Sequence, residues 1–425
     1  MAVSRARGMR DLLPEDMIPR LAVFDTVRAV FKRHGFDPLQ TPALERIETL
    51  TGKYGDEGSQ LIFRVLKRGE AGERGEVGLG LRYDLTVPLA RVIAMHPQLQ
   101  MPFKRYQIQP VWRADRPQRG RFREFTQCDV DIVGTESRLA EAECLNVVNA
   151  ALSELGFDDF TMRLNDRRLL KAMADAVGAG DKEVAIIVTL DKLDKLGRDR
   201  VRAELTGSVG LDDAAADSLF AMLDGAPIPG MEEVEAELVQ IRDWAAAMGT
   251  PPERIRIDRS LARGLDYYTG PVFETVLNDG SIGSVSGGGR YDGLVGMFSG
   301  RPVPAVGVSL GIDRLLVMMS ERGLLPEKAT NSQVWVTVFS AETMGASLET
   351  ARAFREAGLA TEVTMDRVGK IGKQLRSADR RGVRWAVVIG PDEAAAGAIQ
   401  LKDLRGDFKE VLSLADAIAH IQAEG

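Results

Sequence analysis

The spacing of apolar residues divides the chain into stretches of different character. Between Met17 and Phe36 apolar residues recur at helical spacing, and the next segment, which carries Pro38 and Pro42, is predicted to be extended. Strand-like runs then follow one another without long helices between them: LIFRVL, GLGLRYDL, KRYQIQPVWR and REFTQCDVDIVG. This clustering favours an antiparallel sheet, and residues 137–155 predict an amphipathic helix that covers it.

The remainder of the chain predicts an insertion, a return to the sheet and a second domain. Residues 166–249 have a largely helical pattern, and strand-like sequence patterns resume over residues 250–325. Residues 1–165 and 250–325 therefore predict one α+β core. After a turn-rich connection, strands and helices alternate over residues 331–425, which is typical of a small α/β domain with a parallel sheet.

Composition and charge restrict the class of protein. Apolar residues make up 44% of the chain and charged residues 28%, as in soluble globular proteins. No apolar run approaches the roughly 20 residues that span a bilayer, and the N-terminus lacks the apolar stretch of a signal peptide. We expect a cytoplasmic protein that binds no membrane. With only two cysteines, Cys128 and Cys144, and three histidines, neither a disulfide framework nor a metal site is predicted.

Positive charge is concentrated in one stretch of an otherwise acidic chain. The net charge is −7, which argues against coating nucleic acid by bulk electrostatics but permits a local basic surface. Between Lys104 and Arg123 a strand, a loop with Pro117 and Gly120, and a second strand predict a hairpin. Its arginines could bind phosphates bidentately in a cleft; a solvated arginine-rich hairpin is the alternative. No P-loop or GxGxxG spacing is present, so side chains would have to bind any nucleotide phosphates.

The strand after this hairpin has an unusually polar face. Alternation in EFTQCDVDIVG places Phe125, Gln127, Asp129 and Asp131 on the same side. A strand that packs over a core should not carry such residues inward unless a ligand or partner satisfies them. The alternative is a sheet face that is open to solvent.

Two shorter segments add candidate binding groups. RYDLTVP predicts a strand on which Asp84 and Thr86 share one face, an acceptor and a hydroxyl suited to an ammonium group. GVSLGIDRL places Arg314 in the first turn of a predicted helix, where an ordinary exposed arginine is the alternative.

The segment RGLDYYTG raises a geometric question. Strict strand alternation would place Arg263 and Tyr268 on opposite faces of a sheet. Gly264 permits a kink that could bring both side chains to one pocket.

Together these segments resemble class II aminoacyl-tRNA synthetases, and within that class the histidyl-tRNA synthetase family. The segment ending in Pro42 is similar to the dimer-forming first motif, VWRADRPQRGRFREF to the second and AVGVSLGIDRL to the third. RGLDYYTG and GGGRYDGL resemble the two histidine-specific motifs. The resemblance spans essentially the whole chain. It implies an antiparallel sheet of six to seven strands flanked by helices for residues 1–165 and 250–325, a helical insertion at 166–249 and an anticodon-binding α/β domain at 331–425.

The resemblance also implies roles for the candidate residues. Arg113 and Arg263 would be catalytic, neutralising the α-phosphate of ATP as the histidine carboxylate attacks it. Histidine would be bound by Asp84, Thr86, Arg113, Gln127, Asp131, Arg263, Tyr267, Tyr268 and Tyr291, with Asp131 and Tyr268 at the imidazole nitrogens. ATP would be bound by Arg113, Arg121, Phe125 and Arg314, with Phe125 and Arg314 around the adenine.

The implied reaction is ATP-dependent activation of L-histidine to histidyl-adenylate, followed by transfer to the 3′ end of histidine tRNA. Mg²⁺ would be bound mainly through the ATP phosphates, and the protein would be a homodimer. Gln118 would lie near the tRNA acceptor end. Four basic residues at three- and four-residue steps would face the anticodon region from one side of a helix: Lys370, Lys373, Arg376 and Arg380.

Two other functions are compatible with a class II core. One is the synthetase-like regulatory subunit of histidine biosynthesis, which partners a phosphoribosyltransferase and charges no tRNA. That paralogue typically lacks the C-terminal domain and an intact RGLDYY segment, and this chain has both. The other is a catalytically silent sensor of uncharged tRNA, which the joint presence of Arg113, Gln127, Arg263 and Arg314 disfavours.

Overall fold

The computed structural model describes residues 3–52, 60–118, 120–263, 268–325 and 330–424. Internal contacts divide the chain into two units: Met1–Arg10 with Val23–Leu324, and Asp11–Ala22 with Leu325–Gly425. None of the helices in the described part of the chain combines the length and the apolar character that a membrane crossing requires.

The first unit contains a ten-residue helix, Thr86–Met95, within the stretch for which the sequence predicted strands without long helices between them. The strands are β1 (Asp37–Pro38), β2 (Leu44–Arg46), β3 (Arg64–Leu66), β4 (Val77–Leu81), β5 (Phe103–Trp112), β6 (Glu124–Val133), β7 (Phe160–Asp166), β8 (Ile255–Ile257), β9 (Pro271–Leu277), β10 (Ser286–Arg290) and β11 (Ala305–Leu310). The helices outside the segment between β7 and β8 are α1 (Pro14–Arg33, shared with the second unit), α2 (Ile47–Leu50), α3 (Glu70–Glu73), α4 (Thr86–Met95), α5 (Leu139–Glu154), α12 (Gly296–Ser299) and α13 (Ile312–Glu321).

A large sheet organises this unit, with strand order β1-β5-β6-β11-β10-β9-β7-β8. The six inner strands pair antiparallel, as predicted, and the α+β fold class is confirmed. The sheet has eight strands rather than six to seven, because the short strands β1 and β8 join its two edges in parallel. Strands of two and three residues are too short to leave a detectable alternation in the sequence.

The centre of the sheet brings the polar strand face into position. β6 pairs with β5 on one side and β11 on the other, so that Asp131 lies opposite both Arg105 and Gly307. The other face of β6 is apolar and buried, with Cys128 and Val130 at 0% and 1% exposure. Burying that face fixes which way the polar residues point, since a register shift of one residue would exchange the two faces.

The described chain between β7 and β8 is helical. Its helices are α6 (Arg167–Ala176), α7 (Glu183–Leu190), α8 (Leu193–Leu196), α9 (Arg198–Gly207), α10 (Asp213–Leu223) and α11 (Glu232–Ala247). Asp166, the last residue of β7, accepts a hydrogen bond from the backbone N–H of Arg168 and caps the first helix. A strand therefore passes directly into the helical segment.

The second unit contains a five-stranded sheet with strand order β13-β12-β14-β15-β16. Its elements are β12 (Val334–Val336), α14 (Met344–Glu356), β13 (Thr361–Val363), α15 (Ile371–Arg380), β14 (Trp385–Val388), α16 (Pro391–Ala396), β15 (Ala398–Asp403), β16 (Lys409–Ser413) and α17 (Leu414–Glu424). The predicted parallel pairing holds for β12, β13 and β14, but β15 and β16 are antiparallel. A short turn joins β15 to β16, and such a turn allows only antiparallel neighbours.

Candidate active site

A cavity of about 470 Å³ opens on one face of the central sheet. Strands β6, β10 and β11, the loop after β5 and the first turns of α4 and α13 supply its walls. The cavity brings together eleven of the residues that the sequence singled out: Asp84, Thr86, Arg113, Arg121, Phe125, Gln127, Asp131, Arg263, Tyr268, Tyr291 and Arg314. Arg263 and Tyr268 therefore face one cavity, while Gly264 and Tyr267 lie outside the described residues.

The hairpin forms as predicted, but its basic residues do not all face the cleft. Arg113 and Arg121 line the cavity. Arg105 is fully buried in β5 and pairs instead with Asp131, its Nη2 lying 2.6 Å from the carboxylate. Lys104 turns away to Glu143 at 2.9 Å. Gln118 is exposed in the hairpin loop, where its backbone exchanges two hydrogen bonds with Arg121.

The predicted strand through Asp84 and Thr86 is wrong. β4 ends at Leu81, and Thr86 is the first residue of α4. Asp84 accepts a hydrogen bond of 3.0 Å from the backbone N–H of Val87, which satisfies one of the open donors at the start of that helix. Both side chains still reach the cavity.

Guanidinium groups converge at one end of the cavity. Arg113 donates from Nε to the carbonyl of Tyr83 at 3.1 Å, and its guanidinium lies 5.1 Å from the centre of the Phe125 ring. Burial lowers the pKa of Arg314, and the nearby guanidiniums act in the same direction: Arg263, Arg121 and Arg113. Positive charge concentrated in a partly enclosed space suits an anionic ligand.

Arg263 is held in place over the sheet. Its Nε and Nη2 donate to Glu274 on β9 at 3.0 and 2.6 Å, and Nη2 also donates to the hydroxyl of Ser284. Glu274 lies opposite Gly287 in the sheet, and a Cβ at position 287 would come within 1.8 Å of the Arg263 guanidinium. The glycine-rich strand β10 therefore provides the space in which Arg263 lies.

Alanine at position 287 is expected to displace Arg263. The added methyl group would overlap the guanidinium, and a shift of about 1 Å in a positioned charged group can cost about 10²-fold in rate. The histidine-dependent ATP–pyrophosphate exchange that the family resemblance implies, measured for Gly287→Ala, tests this expectation. Gly293→Ala is the matched control, because a Cβ there meets nothing within 4 Å. Equal activities of the two variants would contradict the role of Gly287.

A second part of the cavity is acidic. The Tyr291 hydroxyl donates a hydrogen bond to Oδ1 of Asp131, and Oδ2 forms an ion pair with Arg105 at 2.6 Å. A Cβ at position 307 would come within 1.9 Å of Asp131 Oδ1, which explains the glycine there. Burial raises the pKa of Asp131, while Arg105 and Tyr291 act in the opposite direction.

A buried polar network extends from Arg105, the ion-pair partner of Asp131. Arg105 donates to Gln107 at 3.2 Å, and Gln107 donates to the hydroxyl of Thr41 at 2.9 Å. Arg82, 1% exposed, donates in turn to the carbonyl of Thr41 at 2.8 Å and to that of Pro42 at 3.2 Å. The network connects Asp131 to the segment that ends in Pro42, so that neither the arginine nor the carboxylate is buried without partners.

Asp129 lines the cavity although no role was assigned to it from the sequence. It is 3% exposed, and burial raises its pKa to about 7, with Asp131 and Asp84 acting in the same direction. The alternation of EFTQCDVDIVG had placed it beside Gln127 and Asp131. Arg290, in GGGRYDGL, is by contrast a structural residue, buried in a bidentate pair with Glu141 at 2.6 and 2.8 Å.

The basic residues proposed from the C-terminal sequence lie on or beside α15. Lys370 precedes the helix, and Lys373, Arg376 and Arg380 are exposed along it, whereas Gln374 and Ala378 are buried. Lys373 pairs with Asp366 at 3.1 Å. Throughout the described ranges, no group of three or more His, Cys, Asp or Glu side chains is arranged to hold a metal ion.

Comparison with known proteins identifies the family. The family model described as histidyl-tRNA synthetase matches residues 8–315. The chain belongs to the histidyl-tRNA synthetase family. A second model, an anticodon binding domain, matches residues 333–424.

Individual relatives agree with this membership of the histidyl-tRNA synthetase family. A histidine–tRNA ligase from Gloeobacter violaceus is 42% identical, with 96% of each chain covered. The crystal structure of histidyl-tRNA synthetase from Nostoc sp. PCC 7120 is 32% identical, covers 100% of each chain and has a TM-score of 0.87. A Bacillus halodurans structure described as an ATP phosphoribosyltransferase regulatory subunit/histidyl-tRNA synthetase, at 24% identity and TM-score 0.74, shares the fold.

Proposed function

We propose that this chain is a histidine–tRNA ligase, which activates L-histidine with ATP and transfers the histidyl group to the 3′ end of histidine tRNA. The observation that carries the proposal is the polarity of the cavity. Four guanidiniums lie close to one another in the cavity, and three of its five described aspartates form a second cluster: Arg113, Arg121, Arg263 and Arg314, and Asp84, Asp129 and Asp131. An amino acid bound at the carboxylates and a nucleoside triphosphate bound at the arginines can react where the two clusters meet.

In the first step, a carboxylate oxygen of histidine attacks the α-phosphorus of ATP. The new O–P bond forms as the bond from the α-phosphorus to the bridging oxygen of pyrophosphate breaks, and pyrophosphate leaves with those electrons. Positioning and charge neutralisation dominate such a reaction, and no side-chain nucleophile is required. Arg113 and Arg263 neutralise the α-phosphate, and their fixed positions support this role, since a preorganised charge needs little rearrangement during the reaction.

Histidine binds at the acidic part of the cavity. Asp84 and Thr86 bind the α-ammonium group, with Gln127 beside them. Asp131 and Tyr268 bind the imidazole nitrogens, and Tyr291 fixes Asp131 through its hydroxyl. Recognition by buried polar groups is selective, because a ligand that lacks the matching nitrogen leaves them unpaired.

ATP binds at the basic part of the cavity. Phe125 and Arg314 enclose the adenine, and Arg121 binds the terminal phosphates. Mg²⁺ would accompany ATP and would be held mainly by phosphate oxygens, the type of ligand that it prefers. Asp115, which lies 2.8 Å from Arg121 and lines the same part of the cavity, adds a carboxylate of the kind that Mg²⁺ accepts.

Transfer to tRNA involves both units of the chain. Gln118, exposed in the hairpin loop, would contact the acceptor end, and the exposed basic residues of α15 would contact the anticodon region. Residues 331–425 act as the anticodon-binding domain, and residues 166–249 form an insertion in the catalytic core. The protein acts as a homodimer.

Reversal of charge at Lys370 and Arg376 is expected to impair tRNA charging selectively. Loss of phosphate contacts weakens binding in a salt-dependent manner, so the KM for tRNA should rise by about tenfold or more at 150 mM salt. Histidine-dependent pyrophosphate exchange should stay unchanged. The measurement compares Lys370→Glu/Arg376→Glu with Lys409→Glu, an exposed lysine on β16. An equal effect of both variants on the KM for tRNA would remove α15 from the tRNA contact.

Transfer of labelled histidine to histidine tRNA tests the proposed function against its alternative. A ligase produces acid-precipitable histidyl-tRNA in the presence of ATP. A regulatory subunit of histidine biosynthesis produces none and instead stimulates a phosphoribosyltransferase. The second outcome would overturn the proposal.

A further inference from the structure

Asp129 occupies the middle of the polar face of β6. It lies two residues from Gln127 and two from Asp131, and it pairs in register with Gln107 on β5 and Ser309 on β11. It is 3% exposed and lines the cavity. The proposed roles of the neighbouring residues leave this buried carboxylate without an assigned role.

The charges around Asp129 leave the acidic part of the cavity with an excess of negative charge. Arg105 is the cation that acts on Asp129, but it is ion-paired with Asp131 at 2.6 Å. From β11 Ser309 contributes only a hydroxyl, and Gln107 and Gln127 contribute neutral amides. Asp84 and Asp131 oppose ionisation of Asp129. One guanidinium, that of Arg105, therefore acts on two carboxylates, Asp129 and Asp131.

A separate observation indicates that a ligand donates to this part of the cavity. Gln127 is only 9% exposed, and its Nε2 lies 3.2 Å from the hydroxyl of Ser309 and 3.5 Å from Asp129. Its Oε1 is buried and has no hydrogen-bond partner among the described residues. Buried acceptors are nearly always satisfied in folded proteins, so an N–H donor of the ligand is expected beside Asp129.

We propose that Asp129 is a specificity residue that binds the imidazole ring of histidine in its protonated form. The inference rests on the proposed function, and it extends that function to a residue and a charge state. Arg105 compensates one of the two carboxylates Asp129 and Asp131, and the imidazolium compensates the other. Asp131 accepts a hydrogen bond from the same ring.

The proton for the ring is available within the site. Burial raises the pKa of Asp129 to about 7, so in the free protein near neutral pH this carboxyl is protonated in a large fraction of molecules. A free imidazole also titrates near pH 6.5. On binding, the O–H bond of Asp129 breaks and an N–H bond forms on the ring, which converts two neutral groups into an ion pair without an external proton.

Replacement of Asp129 by asparagine tests the proposal with two ligands. The probes are L-histidine and β-(1,2,4-triazol-3-yl)-L-alanine, a near isostere whose ring stays neutral at pH 7. Asp129→Asn is expected to weaken histidine binding by about 10- to 100-fold, the contribution of a hydrogen bond to a charged group, and to change the affinity for the triazole much less. Titration calorimetry of the full-length protein at pH 7 measures both affinities. Unchanged histidine affinity, or equal losses for the two ligands, would overturn the proposal.

The protonation state of the bound ring provides a second measurement. Nitrogen chemical shifts of ¹⁵N-labelled histidine bound to the wild-type protein at pH 7.5 should be those of imidazolium. Shifts of a neutral ring would overturn the proposal even if Asp129→Asn bound histidine poorly.

Thermal unfolding separates these effects from misfolding. The unfolded chain ionises this carboxyl near pH 3.8, whereas the folded protein retains the proton to about pH 7, so the contribution of Asp129 to stability falls as pH rises through this window. Asp129→Asn should therefore melt at a higher temperature than the wild type at pH 8, and the difference should shrink as the pH falls towards 4. Asp243→Asn, an exposed change of equal charge, is the control. A lower melting temperature of Asp129→Asn at pH 8 would contradict the claim that ionisation of the buried Asp129 is unfavourable, on which the proposal depends.

Pyrophosphate exchange distinguishes a failure of this inference from a failure of the proposed function. Wild-type exchange with histidine, together with a neutral bound ring, would overturn the role of Asp129 alone. Absence of wild-type exchange would overturn the function itself.

Discussion

Alanine at position 263 is expected to lower the turnover of histidine-dependent ATP–pyrophosphate exchange by about 10²- to 10³-fold, the usual cost of removing one preorganised charge donor. The guanidinium is fixed by Glu274 and Ser284, and it acts mainly on charge that develops at phosphorus. Interactions that strengthen only in the transition state affect turnover more than binding. Histidine should still bind to Arg263→Ala with a measurable dissociation constant.

Two outcomes would contradict this role of Arg263. One is an equal loss of histidine affinity and turnover, which would make the arginine a substrate-binding group only. The other is a similar loss in Arg242→Ala, since Arg242 lies on α11 and pairs with the exposed Asp243. The turnover and the histidine affinity of Arg263→Ala, measured independently, test the first outcome. The turnover of Arg242→Ala tests the second.

Asparagine at position 131 is expected to abolish most of the preference for histidine. A site that hydrogen-bonds the ring of its substrate discriminates against analogues by about 10⁴-fold, because its buried groups are otherwise unpaired. Pyrophosphate exchange with histidine and with β-(2-thienyl)-L-alanine, which lacks both ring nitrogens, measures the ratio of kcat/KM values. Unchanged selectivity would remove Asp131 from the imidazole pocket.

Loss of the Asp131 carboxylate also breaks the ion pair of a buried cation. Arg105 is fully buried, so Asp131→Asn should lose about 3–5 kcal/mol of stability, the cost of breaking a buried pair. Tyr268→Phe is therefore the companion variant, because it removes one hydroxyl from the pocket and no charge. Selectivity should fall in Tyr268→Phe by about tenfold while its melting temperature stays close to that of the wild type.

Much of the fold could be predicted from local sequence patterns. The hairpin of β5 and β6 follows from alternation on both sides of a loop with Pro117 and Gly120, and Arg314 lies in the first turn of α13 as expected. Long alternating strands bury one face, and this burial fixes their register. Short edge strands and the antiparallel ending of the second sheet carry weaker signals, because only tertiary pairing stabilises them.

The site was harder to predict because side-chain directions depend on pairing partners. Asp84 and Thr86 looked like strand residues, yet a capping hydrogen bond to Val87 begins a helix there. Arg105 looked like a cleft arginine, but its neighbour across the sheet is Asp131. The purpose of Gly287 is visible only once a guanidinium occupies the space of its missing side chain. Sequence patterns identified all four of the described arginines that line the cavity and seven other residues of its lining, and the sheet determined which of them meet.

Exchange of labelled pyrophosphate into ATP, measured with each of the twenty amino acids in turn, tests the central claim most directly. The account predicts exchange that depends on histidine, with no other amino acid supporting a comparable rate. Absence of exchange with histidine in a folded protein, or equal exchange with another amino acid, would contradict it.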